Sequence, residues 1–361
     1  MNKMLSMENI ISYIRQTGFD KFPGVAAPEG ILYADIETTG LSPASAFIYC
    51  IGMAYYAEGK ACLHLAFGET RDDEPEVLRT FCDILGSRDH IVTFNGTTFD
   101  IPFIRKRCER YNIPDPFINK EYTDLYREAK RLKKFLNLKS YSQKSIEHFL
   151  GCCREDEMGG GELIPVYYRY ERFRDPDDRR LLVLHNLDDV KGMLKLSDIM
   201  SYRLFLDGGG SLNFAELSGD RDTLCFVFKT DYPFPKPVRA RFDFADILLE
   251  ENKAVIKLPV YTGNLRHYFP DYKNYYYLPD EGTIIHKSLG EFVDRDHREN
   301  AVKENCFLEK TCSYIQLPGS KKDSYLKKGL KDKTLYIELP EDVNDEDFKQ
   351  SILREVFNLI R

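Results

Sequence analysis

The stretch ILYADIETTGLSP, Ile31 to Pro43, sets two carboxylates, Asp35 and Glu37, one residue apart in a run that otherwise reads as a buried strand. Side chains alternate along a strand, so Ile31, Tyr33, Asp35 and Glu37 share one face while Leu32, Ala34 and Ile36 share the other. Both acids point the same way. Two neighbouring buried carboxylates cost several kcal/mol per ion, roughly, unless one takes a proton or a cation sits between them. An edge strand with one wet face would carry the same pair. The rest of the chain decides between these readings.

Working outward, a short amphipathic helix is expected near residues 7 to 16, before the Asp35 strand. After that strand, Ala46 to Gly68 reads as two further strands across a turn at Glu58-Gly59. Glu74 to Gly86 has helical spacing at Val77, Phe81 and Leu85; His90 to Asn95 is a short strand, and FDIPFIRKRCERY is a helix with Pro102 in its first turn. A helical and loop region leads to DPDDRRLLVLHNLDDVKGMLKLSDIM, a closing helix with Asp177 or Asp178 as its cap. The order βββαβα predicts a mixed sheet covered by helices, an α/β domain over residues 1–204.

Three consecutive glycines within residues 204 to 223 mark the boundary to a second, α+β accessory domain over 205–361. There LCFVFKT, PVRARFDF, KAVIKLPVY and TLYIELP read as strands, with short strands near Cys306 and Tyr314. A charged helix is expected from about Lys287 to Asn305, and another closes the chain. Seven aromatic residues, Tyr261, Tyr268, Phe269, Tyr272, Tyr275, Tyr276 and Tyr277, are mixed with Arg266, His267 and Lys273. Such a run either stacks bases or belongs to a core.

Two more acids stand where an α/β core wants apolar residues. Asp100 lies at a strand-to-helix junction in FNGTTFDIPF, and Asp189 lies one helical turn after His185 in LLVLHNLDDV. Taken singly, Asp100 is a helix-start acid and Asp189 a solvated helix residue. Asp35, Glu37, Asp100 and Asp189 together carry −4, which two divalent cations would neutralise. All-oxygen ligands suit Mg²⁺ or Mn²⁺, whereas zinc wants His or Cys, which the sequence does not cluster.

The three motifs DIETTG, NGTTFD and HNLDDV, in that order, resemble those of the DEDD superfamily of 3′-to-5′ exonucleases on a ribonuclease H-like fold, and among them the YprB-type branch. The resemblance covers residues from about 28 to 204. It implies two-cation hydrolysis of phosphodiester bonds in single-stranded DNA or RNA, with Asp35, Glu37, Asp100 and Asp189 as ligands. His185 is then the general base, or a residue contacting phosphate. It stands four residues before the last Asp, the spacing of the tyrosine type in this family. Thr38, Thr39, Leu41 and Phe99 are implied contacts of the terminal nucleotide, and Asn95 either steadies it or bonds its own turn. An internally cutting nuclease with the same cations, and a nucleic-acid-binding module without catalysis, are the rival readings.

Composition bounds these expectations. The chain has 361 residues, 43% of them hydrophobic, enough for two cores. A net charge of −7 argues against coating nucleic acid by bulk attraction. A local basic stretch exists from Lys130 to Lys144, interleaved with Phe135 and Tyr141, and it reads equally as a solvated helix face. Nine scattered cysteines and no apolar run of about 18 residues point to a cytoplasmic protein with reduced thiols and no membrane partner.

Overall fold

Both faces of Ile31–Thr38 are buried, and the computed structural model places this strand in the interior of a six-stranded sheet. The structure describes residues 8–14, 28–152, 154, 158–208, 210–218, 222–317 and 326–360. The chain divides into two compact units, Met1–Leu204 with Phe234–Lys236, and Phe205–Pro233 with Pro237–Arg361. In the first, β1 (Glu8–Ile14), β2 (Ile31–Thr38), β3 (Ile48–Ala57), β4 (Lys60–Phe67), β5 (His90–Thr93) and β6 (Glu121–Asp124) lie in the order β1-β4-β3-β2-β5-β6. The first four pair antiparallel, while β2, β5 and β6 run parallel. Glu58 and Gly59, both at positive φ (51° and 72°), form the tight β3-β4 turn.

The expected helix near residues 7 to 16 is instead the edge strand β1, in register with β4 from Glu8↔Phe67 to Ile14↔Ala61. Its sequence holds Ile10, Ile11, Tyr13 and Ile14. Such β-branched and aromatic residues favour a pleated strand wherever a sheet edge offers unpaired backbone groups. Residues 7, 15 and 16 of that expectation lie outside the described residues.

Helices cover both faces of the sheet. Val77, Leu78 and Phe81 of α1 (Glu74–Gly86) and Ile104 of α2 (Asp100–Arg110) pack on Leu32, Ala34 and Ile36 of β2. Three short helices follow: α3 (Leu125–Arg131), α4 (Lys133–Leu136) and α5 (Gln143–Leu150). On the other face α6 (Gly160–Phe173) and α7 (Pro176–Leu196) set Leu163, Tyr167 and Leu182 against Tyr49, Leu65 and Phe67. Each such buried side chain contributes about 1.5–3 kcal/mol. Asp175, rather than Asp177 or Asp178, caps α7 by accepting from the Asp177 N–H at 2.8 Å. Proline at position 176 fits the first helical residue, where no N–H is needed, so the cap must precede it. Within the basic stretch, Phe135 and Tyr141 are buried core residues, so these rings do not interleave with the lysines on a surface.

The short helix α8 (Met200–Leu206) spans the division between the units. The second unit is built on an antiparallel sheet of β7 (Ser211–Ser218), β8 (Thr223–Lys229), β9 (Val238–Phe242), β10 (Ala245–Glu250), β11 (Lys253–Tyr268), β15 (Phe307–Gln316) and β16 (Tyr336–Glu338). A small sheet of β12 (Tyr275–Leu278), β13 (Thr283–His286) and β14 (Glu299–Asn300) and the helix α9 (Glu346–Ile360) complete it. The charged helix expected from Lys287 to Asn305 is not formed: the segment makes two short 3₁₀ turns and β14. Leu289 and Phe292 are 50% and 76% exposed, so it has no apolar stripe to bury. Gly290 lies against the Tyr276 ring, where an added Cβ would come within 2.6 Å of Cε2. The seven aromatics of the Tyr261–Tyr277 run are all half-buried.

A buried ion pair ties α1, α2 and β3 together. Neither Arg107 nor Glu74 has exposed surface. Glu74 Oε1 accepts from Arg107 Nε (2.7 Å) and from the Ile48 N–H (2.8 Å), and Oε2 accepts from the Tyr111 hydroxyl (2.7 Å). Arg107 also donates to the Pro43 carbonyl at 2.9 Å, holding the loop that follows β2. Removing one partner strands the other charge in the interior. Arg107→Met is therefore expected to destabilise the protein by about 3–5 kcal/mol in urea denaturation; a loss under about 1 kcal/mol would show that the pair adds little.

Candidate active site

The face of β2 that carries Tyr33, Asp35 and Glu37 is turned towards α7, and the Tyr33 hydroxyl meets Ser197 Oγ at 2.8 Å. The helix comes close because the residue opposite Asp35 in the β2-β3 register is Gly52. A Cβ there would overlap Asn186 Oδ1 and sit 2.7 Å from Val190 Cγ2. In that space Asn186 Nδ2 donates to Asp35 Oδ2 at 2.8 Å. His185 and Asp189 lie one turn apart on α7, with His185 Nε2 at 3.2 Å from Asp189 Oδ2 and 3.5 Å from Glu37 Oε1. Asp100, the first residue of α2, is buried and accepts from the Ile36 N–H at 3.2 Å, which fixes it to the strand of the other two acids. Asp188 instead faces Lys191, at 3.7 Å.

Asp35, Glu37, His185 and Asp189 line a cavity of about 450 Å³, together with Thr38, Leu41 and Phe99. Leu41 is 83% exposed there, an apolar side chain held out into solvent. Thr39 and Asn95 are used elsewhere. Thr39 Oγ1 accepts from the Phe47 N–H at 3.1 Å and closes the loop after β2. Asn95 is exposed at φ 63°, its side chain and carbonyl accept from Thr98 Oγ1 at 3.0 Å, and its N–H donates to Asp124 at 2.8 Å. Asp124 also caps α3, so it shapes this turn.

The structure also brings in residues that sequence reasoning missed, Asn186, Gln143, Glu147 and Arg154, together with Lys144, the last residue of the basic stretch. Gln143, Lys144 and Arg154 line the same cavity. Glu147 carried a readable signal, since it shares the apolar face of α5 with Ile146 and Leu150. Arg154 stands in a connecting segment, without any periodicity to mark it.

Burial raises three of the acids. Asp35 is pushed well above the usual carboxylate range by desolvation, reinforced by Asp189, Asp100 and Glu37. Glu37 is raised to about 8, mainly by burial, although His185 pulls it down. Asp100 is raised to about 7, again by burial first. Asp189 goes the other way: burial acts to raise it, but His185 and Arg154 outweigh that and lower it. Glu37, His185 and Asp189 offer ligand atoms that all lie within 4.8 Å of one another. Carboxylates that repel when ionised, around one cavity, are a donor set that fits divalent cations. His185, expected at the site from its place one turn before Asp189, also lies within ligand distance of this cluster.

A mixed sheet between helices, with acids from β2 and α7 at one cavity and Asp100 of α2 buried beside it, is an RNase H-like arrangement. Residues 32–201 match the family model described as the RNase_H superfamily. No curated protein matches the chain. Among solved structures, the chain is similar to a family B DNA polymerase from Pyrobaculum calidifontis (17% identity, TM-score 0.42, 70% of this chain and 36% of that one). It is also similar to E. coli exonuclease I solved with a dA13 oligonucleotide (12% identity, TM-score 0.34, 55% of this chain and 54% of that one). The chain thus spans about a third of the polymerase and about half of the exonuclease. Likeness at this level does not carry chemistry from one chain to another. No helix among the described residues is long and apolar enough to cross a membrane.

The raised acids set a pH dependence. A carboxyl whose folded pKa exceeds its unfolded one stabilises the fold at low pH, and that contribution is lost as pH rises through the folded value. For Glu37 the window runs from the ordinary 4.5 to about 8. In metal-free buffer, Glu37→Gln should melt like wild type near pH 4 and increasingly above it up to about pH 8. A difference in melting temperature that stays constant across this range would show that Glu37 ionises normally.

Proposed function

We propose that the chain is a cytoplasmic, Mg²⁺- or Mn²⁺-dependent nuclease that removes nucleotides from the 3′ ends of single-stranded DNA or RNA. Residues 1–204 are its catalytic domain, and 205–361 an accessory domain that guides substrate or binds a partner. The observation that carries this reading is the convergence of Asp35, Glu37 and Asp189, with His185, on one open cavity, with Asp100 buried beside them. The RNase_H superfamily match over residues 32–201 supports it.

Asp35, Glu37, Asp100 and Asp189 would hold two cations, which would supply positive charge against the phosphate and ease ionisation of water near neutral pH. His185 accepts the proton of the attacking water at Nε2. Leu41 wedges against the terminal base from its exposed position, Phe99 packs beside it, and the backbone at Thr38 and Thr39 borders the sugar. Asn186 keeps Asp35 in one rotamer. A second reading, favoured by the 3.2 and 3.5 Å contacts of Nε2, makes His185 a ligand with Glu37 and Asp189, which suits Mn²⁺ better than Mg²⁺.

Asp35→Asn should abolish hydrolysis of end-labelled oligonucleotides, and Mg²⁺ should raise the melting temperature of wild type more than that of the variant. Wild-type cutting by the variant would overturn the two-cation reading, and cutting of circular single strands would establish an internal mode. His185→Ala separates the two roles of the imidazole. As a base, its loss should lower turnover about 10²–10⁴-fold and remove the acidic limb of the pH profile, with cation affinity kept. A parallel fall in Mn²⁺ affinity would make it a ligand.

A further inference from the structure

A fifth acid stands beside the proposed ligands. Glu147 on α5 is 1% exposed. Gln143 Nε2 donates to its Oε1 at 2.9 Å and to the Asp189 carbonyl at 2.8 Å. The two helices approach here because residue 192 is glycine: an added Cβ would overlap the Glu147 carboxylate and come within 2.9 Å of Gln143 Nε2. A carboxylate buried this deeply is costly without a cation. Its cation is Arg154, whose Nη1 lies 3.3 Å from Glu147 Oε2 and whose Nη2 pairs with Asp189 Oδ1. Arg154 is itself largely enclosed, with 11% of its side chain exposed, and it lines the cavity that Asp35, Glu37 and His185 line.

One guanidinium therefore bridges an acid assigned to cation binding and an acid that the hydrolysis does not use. An Asp189 oxygen paired with a guanidinium is poorly available to a divalent ion, so arginine and cation compete for it. Glu147 is out of that competition and holds Arg154 in place whichever way it ends. A planar fork of N–H donors is also the group that best matches phosphate oxygens.

We propose that Arg154 is the exchangeable cation of this site. In the metal-free protein it occupies Asp189; kept in place by Glu147, it yields Asp189 to divalent cations and turns Nη2 to the non-bridging oxygens of the substrate phosphate. The phosphate half of this inference rests on the nuclease reading, while the competition at Asp189 does not.

The test is calorimetric titration of Mn²⁺ into the full chain without nucleic acid, followed by kinetics on a single-stranded oligonucleotide. Arg154→Gln should bind Mn²⁺ at least about tenfold more tightly, because no unit charge has to be displaced. Its kcat/KM should fall about 10²-fold, as for loss of a donor to the transition state. Arg154→Lys keeps the charge without the fork, so it should bind Mn²⁺ close to wild type and still lose most of the kcat/KM. Glu147→Gln should weaken Mn²⁺ binding, since Arg154 then rests on Asp189 alone. Unchanged or weaker Mn²⁺ binding by a folded Arg154→Gln protein would overturn the inference, whether or not wild type cuts nucleic acid. Tighter binding in a protein whose wild type cuts nothing would sustain the competition at Asp189 and overturn both the phosphate contact and the nuclease reading.

Discussion

The absent side chain at Gly52 sets the distance between α7 and the sheet, and the site depends on that distance. With a Cβ at this position Asn186 could not reach Asp35. Because His185 and Asp189 ride on the same rigid helix, any shift that relieved the overlap would also carry them away from Glu37. Packed interiors move in discrete steps, since each displaced element meets another close-packed layer. The same device recurs at Gly192, where α7 meets α5 and Glu147 takes the space that a side chain would fill. Helix α7 is thus seated by glycine on the sheet beneath it and by its own glycine against its neighbour.

This seating produces an uneven charge distribution. Burial raises Asp35, Glu37 and Asp100, while Asp189, which touches both His185 and Arg154, is lowered. The metal-free cluster thus sets three acids that burial makes harder to ionise beside one, Asp189, that His185 and the Arg154 guanidinium make easier to ionise. Cations entering such a site would compete with protons at the raised acids and, on the proposal above, with a guanidinium at Asp189. Cation affinity should then depend on pH and on Arg154 separately, because the two competitors act on different carboxylates.

The parts of this arrangement that are legible in sequence are those with a period. Alternation along Ile31–Thr38 puts Asp35 and Glu37 on one face, and the four-residue interval from His185 to Asp189 puts those two on one side of α7. Apolar spacing marks α1 to the residue and α2 to within one residue at each end, because their buried stripes are continuous. The edge strand β1 reads as a helix from its apolar spacing alone, since an available sheet edge is a property of β4, some 50 residues away. The charged segment after β13 fails in the opposite sense: its residues suit a helix locally, but Tyr276 and the small sheet claim Gly290 before any helical face can pack. Arg154 has no periodic context, and only the folded chain brings it to Glu147 and Asp189.

Residue type alone also cannot separate side chains that serve the backbone from those left to meet a ligand, because both tasks use the same small polar groups. Thr39 and Asn95 lie inside two of the three motifs that carry the resemblance, yet their polar atoms close the loop after β2 and the turn before α2. Thr38 spends its hydroxyl on the Gly40 carbonyl at 2.8 Å, so what it offers the cavity is backbone and methyl. Leu41 is the contrary case, an apolar residue in a polar loop that nothing in the domain covers. An exposed leucine kept in place by the Thr39 and Pro43 anchors on either side is held out at a cost in solvation, a cost that its proposed contact with a terminal base would offset.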